Sequence, residues 1–220
     1  HLLELKGNVV SKKSSVNIKD YSDDKIRKKI GFKLTEAQER VLNEIKSDFE
    51  KGFVMNRLIQ GDVGSGKTAV AMIGAYITVN NGYQAVLMAP TDVLANQHYK
   101  SFSNVFEPLG IKCKLLTSGL KKREKERAYD NIATGCSKII IGTHALIQER
   151  VKYSNLGLVI TDEQHRFGVR QREMLADKGD EPHILVMTAT PIPRTLALIL
   201  YGDLDISVID KLPPGRQKID

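Results

Sequence analysis

The chain has 220 residues, 41% of them hydrophobic and 27% charged, with a formal net charge of +7. That length suits one substantial domain able to bury a core without staples. No apolar run is long enough to span a membrane, no signal peptide opens the chain, and Cys113 and Cys136 sit in no C-x-x-C or Cys/His cluster, which predicts reduced cysteines in a cytoplasmic protein. Residues 1–33 hold nine Lys/Arg against four Asp/Glu, and the rest is nearly balanced. Bulk charge by itself therefore does not identify a nucleic-acid surface. The start at His1 is consistent with a piece of something longer.

In chain order, residues 1–30 read as a polar linker or N-terminal extension, with Ser11, Ser14, Ser15 and scattered lysines. Thr35-Glu36-Ala37-Gln38 is a capping box, and Val41, Leu42, Ile45 and Phe49 give its helix an apolar stripe. Phe53 to Gln60 reads as a strand, and Ala69 to Tyr76 as part of a helix. Further strands are expected at Gln84–Ala89, Lys112–Thr117, Lys138–Gly142, Leu156–Thr161 and Ile184–Thr188, and helices at Asp92–Phe106 and Lys121–Ala133. Aliphatic strands alternating with helices predict an α/β fold with a mostly parallel sheet covered on both faces. Ligands of such sheets bind at the carboxyl ends of the strands.

Between the first strand and its helix lies Gly61-Asp62-Val63-Gly64-Ser65-Gly66-Lys67-Thr68, which fits G-x-x-x-x-G-K-[ST] without mismatch. Glycines let backbone N–H groups converge on a helix N-terminus, where orphan donors and the helix dipole favour an anion. Gly61, Gly64, Ser65 and Gly66 are the candidate cradle, Lys67 the charge for the outer phosphates, and Thr68 a Mg²⁺ ligand. Leu158 to Asp162 is an apolar strand ending in Asp162-Glu163. Asp162 suits a magnesium ligand and Glu163 a base for an attacking water. His165 follows as a candidate coupling residue. Thr188-Ala189-Thr190 ends a later strand, where two hydroxyls can change partners when the γ-phosphate leaves.

Taken in order from Phe32, these motifs resemble the superfamily 2 helicases and translocases. That resemblance implies a three-layer, RecA-like P-loop lobe that uses ATP and Mg²⁺. Phe32 to Gln38 is similar to a Q-type motif, in which Gln38 would read the adenine edge, while the capping box offers a competing role. Ala89 to His98 resembles motif Ia and Gly142 to Gln148 motif Ib. With the turn Thr117-Ser118-Gly119, they imply strand contacts by Pro90, Thr91, Gln97, Ser118, Gly119, Gly142, Thr143 and His144. Such contacts use backbone and hydroxyl donors more than bulk charge. Asp162 to Arg172, Thr188 to Ala197, Tyr201 to Asp205 and Leu212 to Arg216 narrow the resemblance to the RecG branch of bacterial helicases, with the transcription-repair coupling translocases as the alternative.

The branch implies remodelling of branched DNA in a bacterial cytoplasm. Arg166 and Arg170, in a cluster with Arg172, would link the nucleotide site to DNA. Lys121, Lys122, Arg123, Lys125 and Arg127 read instead as a solvated helix salt-bridged through Glu124 and Glu126. Residues 31–212 would form the first motor lobe and 213–220 the start of a junction to a second lobe, with a wedge domain upstream. Arginine fingers would come from the second lobe, so this piece alone is expected to bind nucleotide and hardly turn it over. A small-molecule P-loop kinase is disfavoured by the Thr-Ala-Thr element. An RNA helicase of the DEAD-box kind would carry Ala and Asp where Gln164 and His165 stand. A non-catalytic module sits poorly with intact Lys67, Asp162 and Glu163.

Overall fold

The computed structural model describes residues 12–162, 169–193 and 204–210. Its strands are β1 (Asn56–Gly61), β2 (Gln84–Met88), β3 (Cys113–Leu116), β4 (Ile139–Gly142), β5 (Leu156–Asp162), β6 (His183–Thr188) and β7 (Asp205–Ile209). They form one sheet in the order β3-β4-β2-β5-β6-β1-β7. Every ladder in it is parallel. β2 and β4 are buried at every position, which accounts for their unbroken aliphatic sequence. Successive side chains face opposite layers. Leu87, Ile141, Ile160 and Leu185 point into one core, and Val86, Ile140 and Val159 into the other.

The first layer holds α1 (Asp24–Ile30), α2 (Glu36–Glu50), α3 (Lys67–Asn80) and α4 (Asp92–Phe106). α3 is apolar almost all round because it lies between the sheet and its neighbours. α5 (Lys122–Ala133) and α6 (Val169–Ala176) cover the opposite face, where Ala128, Ile132 and Leu175 meet Leu146 of the short turn His144–Ile147. This is the expected three-layer α/β architecture, with a fully parallel sheet.

Of the two readings of the N-terminal segment, residues 12–30 fit the extension and not the linker. They are docked on the lobe. Lys13 bridges to Phe53, Val16 and Ile18 are buried, and Ile26 of α1 is fully buried. Asn81 Oδ1 accepts the backbone N–H groups of Lys19 and Asp20, and the Tyr83 hydroxyl accepts that of Asn17. The first strand also starts later than its apolar run suggests, because Phe53 is 47% exposed and belongs to that bridge.

Register aligns the strand tips along one edge. Leu116 pairs with Gly142, Gly142 with Met88, and Met88 with Thr161. Asp162 pairs with Met187, and Thr188 with Gln60. β7 is fixed by Arg57 at the opposite end of β1. Its guanidinium donates to Asp48 of α2 at 2.6 Å and to Ser207 of β7 at 2.8 Å.

Candidate active site

The P-loop closes on itself. Gly66 has φ +85°, and a Cβ there would lie 2.1 Å from Nε2 of Gln38. Only glycine satisfies both the left-handed backbone and that approach. Gln38 is fully buried. Its Nε2 donates to the Ser65 carbonyl at 2.8 Å, and its Oε1 accepts the Thr35 N–H at 2.9 Å. The capping box is thus formed, and the same amide braces the loop.

The Lys67 ammonium donates to the carbonyls of Gly61 and Asp62. Burial lowers its pKa, and the carboxylates of Asp162 and Asp62 act against that. Lys67 and Asp162 therefore share one electrostatic environment. The first two N–H groups of α3, those of Lys67 and Thr68, have no intrahelical acceptor by helix geometry, whereas that of Ala69 already bonds the Gly66 carbonyl. The Ser65 hydroxyl beside them is buried without a hydrogen-bond partner among the described residues. A buried orphan hydroxyl, helix N–H groups and a lysine fit a phosphate chain. Thr68 and Asp162 offer hard oxygen donors, which suit Mg²⁺ completed by phosphate and water.

Asp162 ends β5, and its carboxylate accepts a 2.7 Å hydrogen bond from Nε2 of His98 on α4. His98 lies within the motif Ia segment, yet nothing in its local sequence marks it for this contact. The side chains are 64 positions apart and meet because β2 and β5 are neighbours in the sheet. At the next tip Thr188 is buried, and its hydroxyl accepts the Thr190 N–H at 3.2 Å. Gln60 of β1 accepts the N–H of Ile192 at 3.3 Å, tying the segment after Thr190 to the strand that feeds the P-loop.

The residues expected to contact a nucleic-acid strand gather at the β2, β3 and β4 tips. Thr91 caps α4 by accepting the Leu94 N–H. Asp92 accepts from the Thr143 hydroxyl at 3.1 Å and the Ser118 hydroxyl at 3.3 Å. One carboxylate thus joins the three segments, and sequence reasoning missed it because Asp92 reads as an ordinary acidic residue of a first helical turn. Gly142 is required by packing, since a Cβ there would lie 2.0 Å from the Leu116 carbonyl oxygen. Gln97, Ser118, Gly119 and His144 are exposed, and Pro90 is half-buried. Lys125 donates to the Ser118 carbonyl at 2.7 Å, so α5 supports this turn besides being solvated.

Glu163, His165 and Arg166 lie outside the described residues. Arg170 is exposed, whereas Arg172 is 5% exposed. Two positions apart on a helix point in nearly opposite directions. The expected basic cluster is therefore not one surface, and Arg170 alone of these two faces solvent.

A family model described as DEAD/DEAH box helicase matches residues 35–199. The ATP-dependent DNA helicase RecG of Aquifex aeolicus (strain VF5) is 52% identical over 210 residues, 94% of this chain and 26% of the relative. That of Streptococcus pneumoniae serotype 4 is 54% identical over 194 residues, 88% of this chain and 29% of the relative. A solved structure of RecG bound to a three-way DNA junction is 46% identical with a TM-score of 0.77, covering 88% of this chain and 26% of that one. The chain thus spans little more than a quarter of the length of these relatives.

Proposed function

The chain belongs to the DEAD/DEAH box helicase family, and on that premise we propose that it is the ATP-binding first lobe of a RecG-type, ATP-dependent DNA helicase or translocase. Its substrate is branched DNA, such as stalled forks and Holliday junctions, in a bacterial cytoplasm. One observation carries the reading. Gln60 lies beside Thr188, and Met187 beside Asp162, so the P-loop, the carboxylate and the Thr-Ala-Thr segment leave three adjacent strands at one edge. Supporting it are the likeness to ATP-dependent DNA helicases and to a relative bound to a three-way DNA junction. Both relatives carry the RecG name, and no observation favours the transcription-repair alternative.

In this reading Gly61, Gly64, Ser65 and Gly66 cradle the phosphates, Lys67 neutralises the outer two, and Thr68 and Asp162 hold the metal. Bound Mg²⁺-ATP supplies the phosphoanhydride bond whose hydrolysis drives the motor. Glu163 orients and deprotonates the attacking water, and His165, Thr188 and Thr190 relay the state of the site. Gln38 reads the adenine edge only by exchanging one of its two present partners, Thr35 and Ser65. Thr91, Gln97, Ser118, Gly119, Thr143 and His144 grip a strand with Pro90 and Gly142 shaping the track, and Arg166 and Arg170 add basic contacts that link it to the nucleotide site. A second RecA-like lobe supplies arginine fingers, and a wedge domain engages the branch.

The test is calorimetry of Mg²⁺-ATP on the purified chain and on Lys67→Ala. We expect binding by the wild type, weakened roughly 30-fold or more in the variant, since a charge-assisted contact to phosphate is lost. Turnover by this chain alone should be slower than in the two-lobed protein by a factor on the order of 10³–10⁵. Absence of nucleotide binding in the wild type, or equal binding by Lys67→Ala, overturns the proposal.

A further inference from the structure

α4 reaches two places at once. Its first turn carries Thr91 as cap and Asp92, which collects the hydroxyls of Ser118 and Thr143. Six residues later, roughly 9 Å along the axis, His98 reaches the carboxylate of Asp162. The helix is anchored in the core on both sides of His98. Ala95, Phe102 and Phe106 are each 1% exposed or less, and the last two rings stack at 5.6 Å. Close packing of this kind transmits strain along the helix.

The imidazole itself is fixed on two sides. Its ring meets that of Phe102 edge-on, with centroids 6.5 Å apart and planes at 80°. The Nε2 side faces Asp162, and the two side chains are 13% and 24% exposed. A carboxylate only accepts hydrogen bonds, so Nε2–H is the donor and Oδ2 the acceptor. Oδ1 takes no part in that bond. A carboxylate held by one oxygen presents the other in a defined direction, which is how outer partners orient metal-binding groups.

We propose that His98 is a positioning residue for Asp162: it holds the carboxylate at the angle from which it binds Mg²⁺, and it does so from the helix that begins at the strand-contact turn. The proposal rests on the reading of Asp162 as a metal ligand. It assigns His98 no contact with substrate and no proton transfer. Its consequence is that a displacement of the α4 N-terminus by a bound strand alters the metal site without any further moving part.

Two substitutions separate the hydrogen bond from the packing. His98→Phe keeps a ring against Phe102 and removes the donor. His98→Gln removes the ring and restores an N–H donor. The readout is calorimetry of ADP on the chain, first in EDTA and then across a Mn²⁺ titration, with electron paramagnetic resonance of the bound Mn²⁺ as a second measure. Expected is unchanged ADP affinity in EDTA for all three proteins, metal affinity about tenfold weaker in His98→Phe, and recovery in His98→Gln. If His98→Phe binds Mn²⁺ in the nucleotide complex as tightly as the wild type, the inference falls and the nucleotide site stands. If both variants weaken ADP equally with and without metal, His98 is only structural and the inference falls. If wild-type chain binds no nucleotide, the site reading fails and takes this inference with it.

Discussion

Gln38 donates its carboxamide N–H to the Ser65 carbonyl across 2.8 Å, joining the first turn of α2 to the phosphate loop. The other end of the same amide accepts from Thr35 N–H, closing the capping box. Cap and loop therefore share one side chain, and substitutions can divide them. Thr35→Ala removes only the cap hydroxyl and should cost about 1 kcal/mol of stability with little change in nucleotide affinity. Gln38→Ala removes both bonds and leaves the Ser65 carbonyl unpartnered, so it should cost about 2 kcal/mol or more. It should also weaken ADP binding severalfold. Urea denaturation and ADP calorimetry on the two variants check this. Equal ADP affinities for both variants would show that the brace does not shape the loop.

Asp92 places a negative charge among hydroxyls expected to meet DNA phosphates. Ser118 and Thr143 donate to it, so a bound strand must compete with a carboxylate for the same donors. Asp92→Asn keeps an acceptor for one hydroxyl and removes the charge. We expect single-stranded oligonucleotide binding to tighten about threefold to tenfold at low salt, with the gain shrinking as salt rises. Fluorescence anisotropy at two ionic strengths measures it. Weaker binding in the variant would mean that Asp92 serves to shape the track and not to compete for it.

Local chemistry and long-range placement separate cleanly in what could be read beforehand. The phosphate loop is legible because its residues are contiguous and each has a reason within eight positions. β2 and β4 are legible because burial on both faces leaves an unbroken aliphatic run. The bond between His98 and Asp162 is not, since 64 residues separate the partners and only strand order brings them together. The docking of residues 12–30 was hidden for another reason. Val16, Ile18 and Ile26 are too sparse among polar neighbours to show a period, yet all three are buried. Arg172 shows the converse, a charged residue in a basic run that faces inward.

The two cysteines should differ sharply in reactivity. Cys113 opens β3 and is buried, and burial pushes its thiol up to about 12. Cys136 is exposed, with the Lys112 ammonium 3.5 Å from its sulfur. Since the thiolate is the reactive species, a thiol reagent at pH 8 should modify one cysteine per native chain. The second should react only in denaturant, slower in the native state by roughly 100-fold or more. Cys136→Ser should abolish the fast phase. Two fast thiols in native protein would show that β3 opens readily at the sheet edge.

Acid should act on the lobe through His183. The ring is fully buried on β6, tilted against Phe49 at 4.8 Å, and its Nδ1 accepts the Met55 N–H at 2.9 Å. That acceptor role requires a neutral ring with the proton on Nε2. Burial lowers the pKa from 6.5 to about 4, partly opposed by Asp48. The unfolded chain binds a proton below pH 6.5 that the folded chain refuses until about pH 4. The contribution of His183 to stability is therefore complete above pH 6.5 and lost as the pH falls towards 4, at most about 3 kcal/mol. His183→Asn offers a carbonyl to the Met55 N–H and cannot titrate. Its stability at neutral pH should be lower, but its decline between pH 6.5 and 4 should be shallower by up to one proton's worth of slope. Urea midpoints measured across that interval compare the two proteins directly. Parallel declines would shift the source of acid sensitivity to the carboxylates.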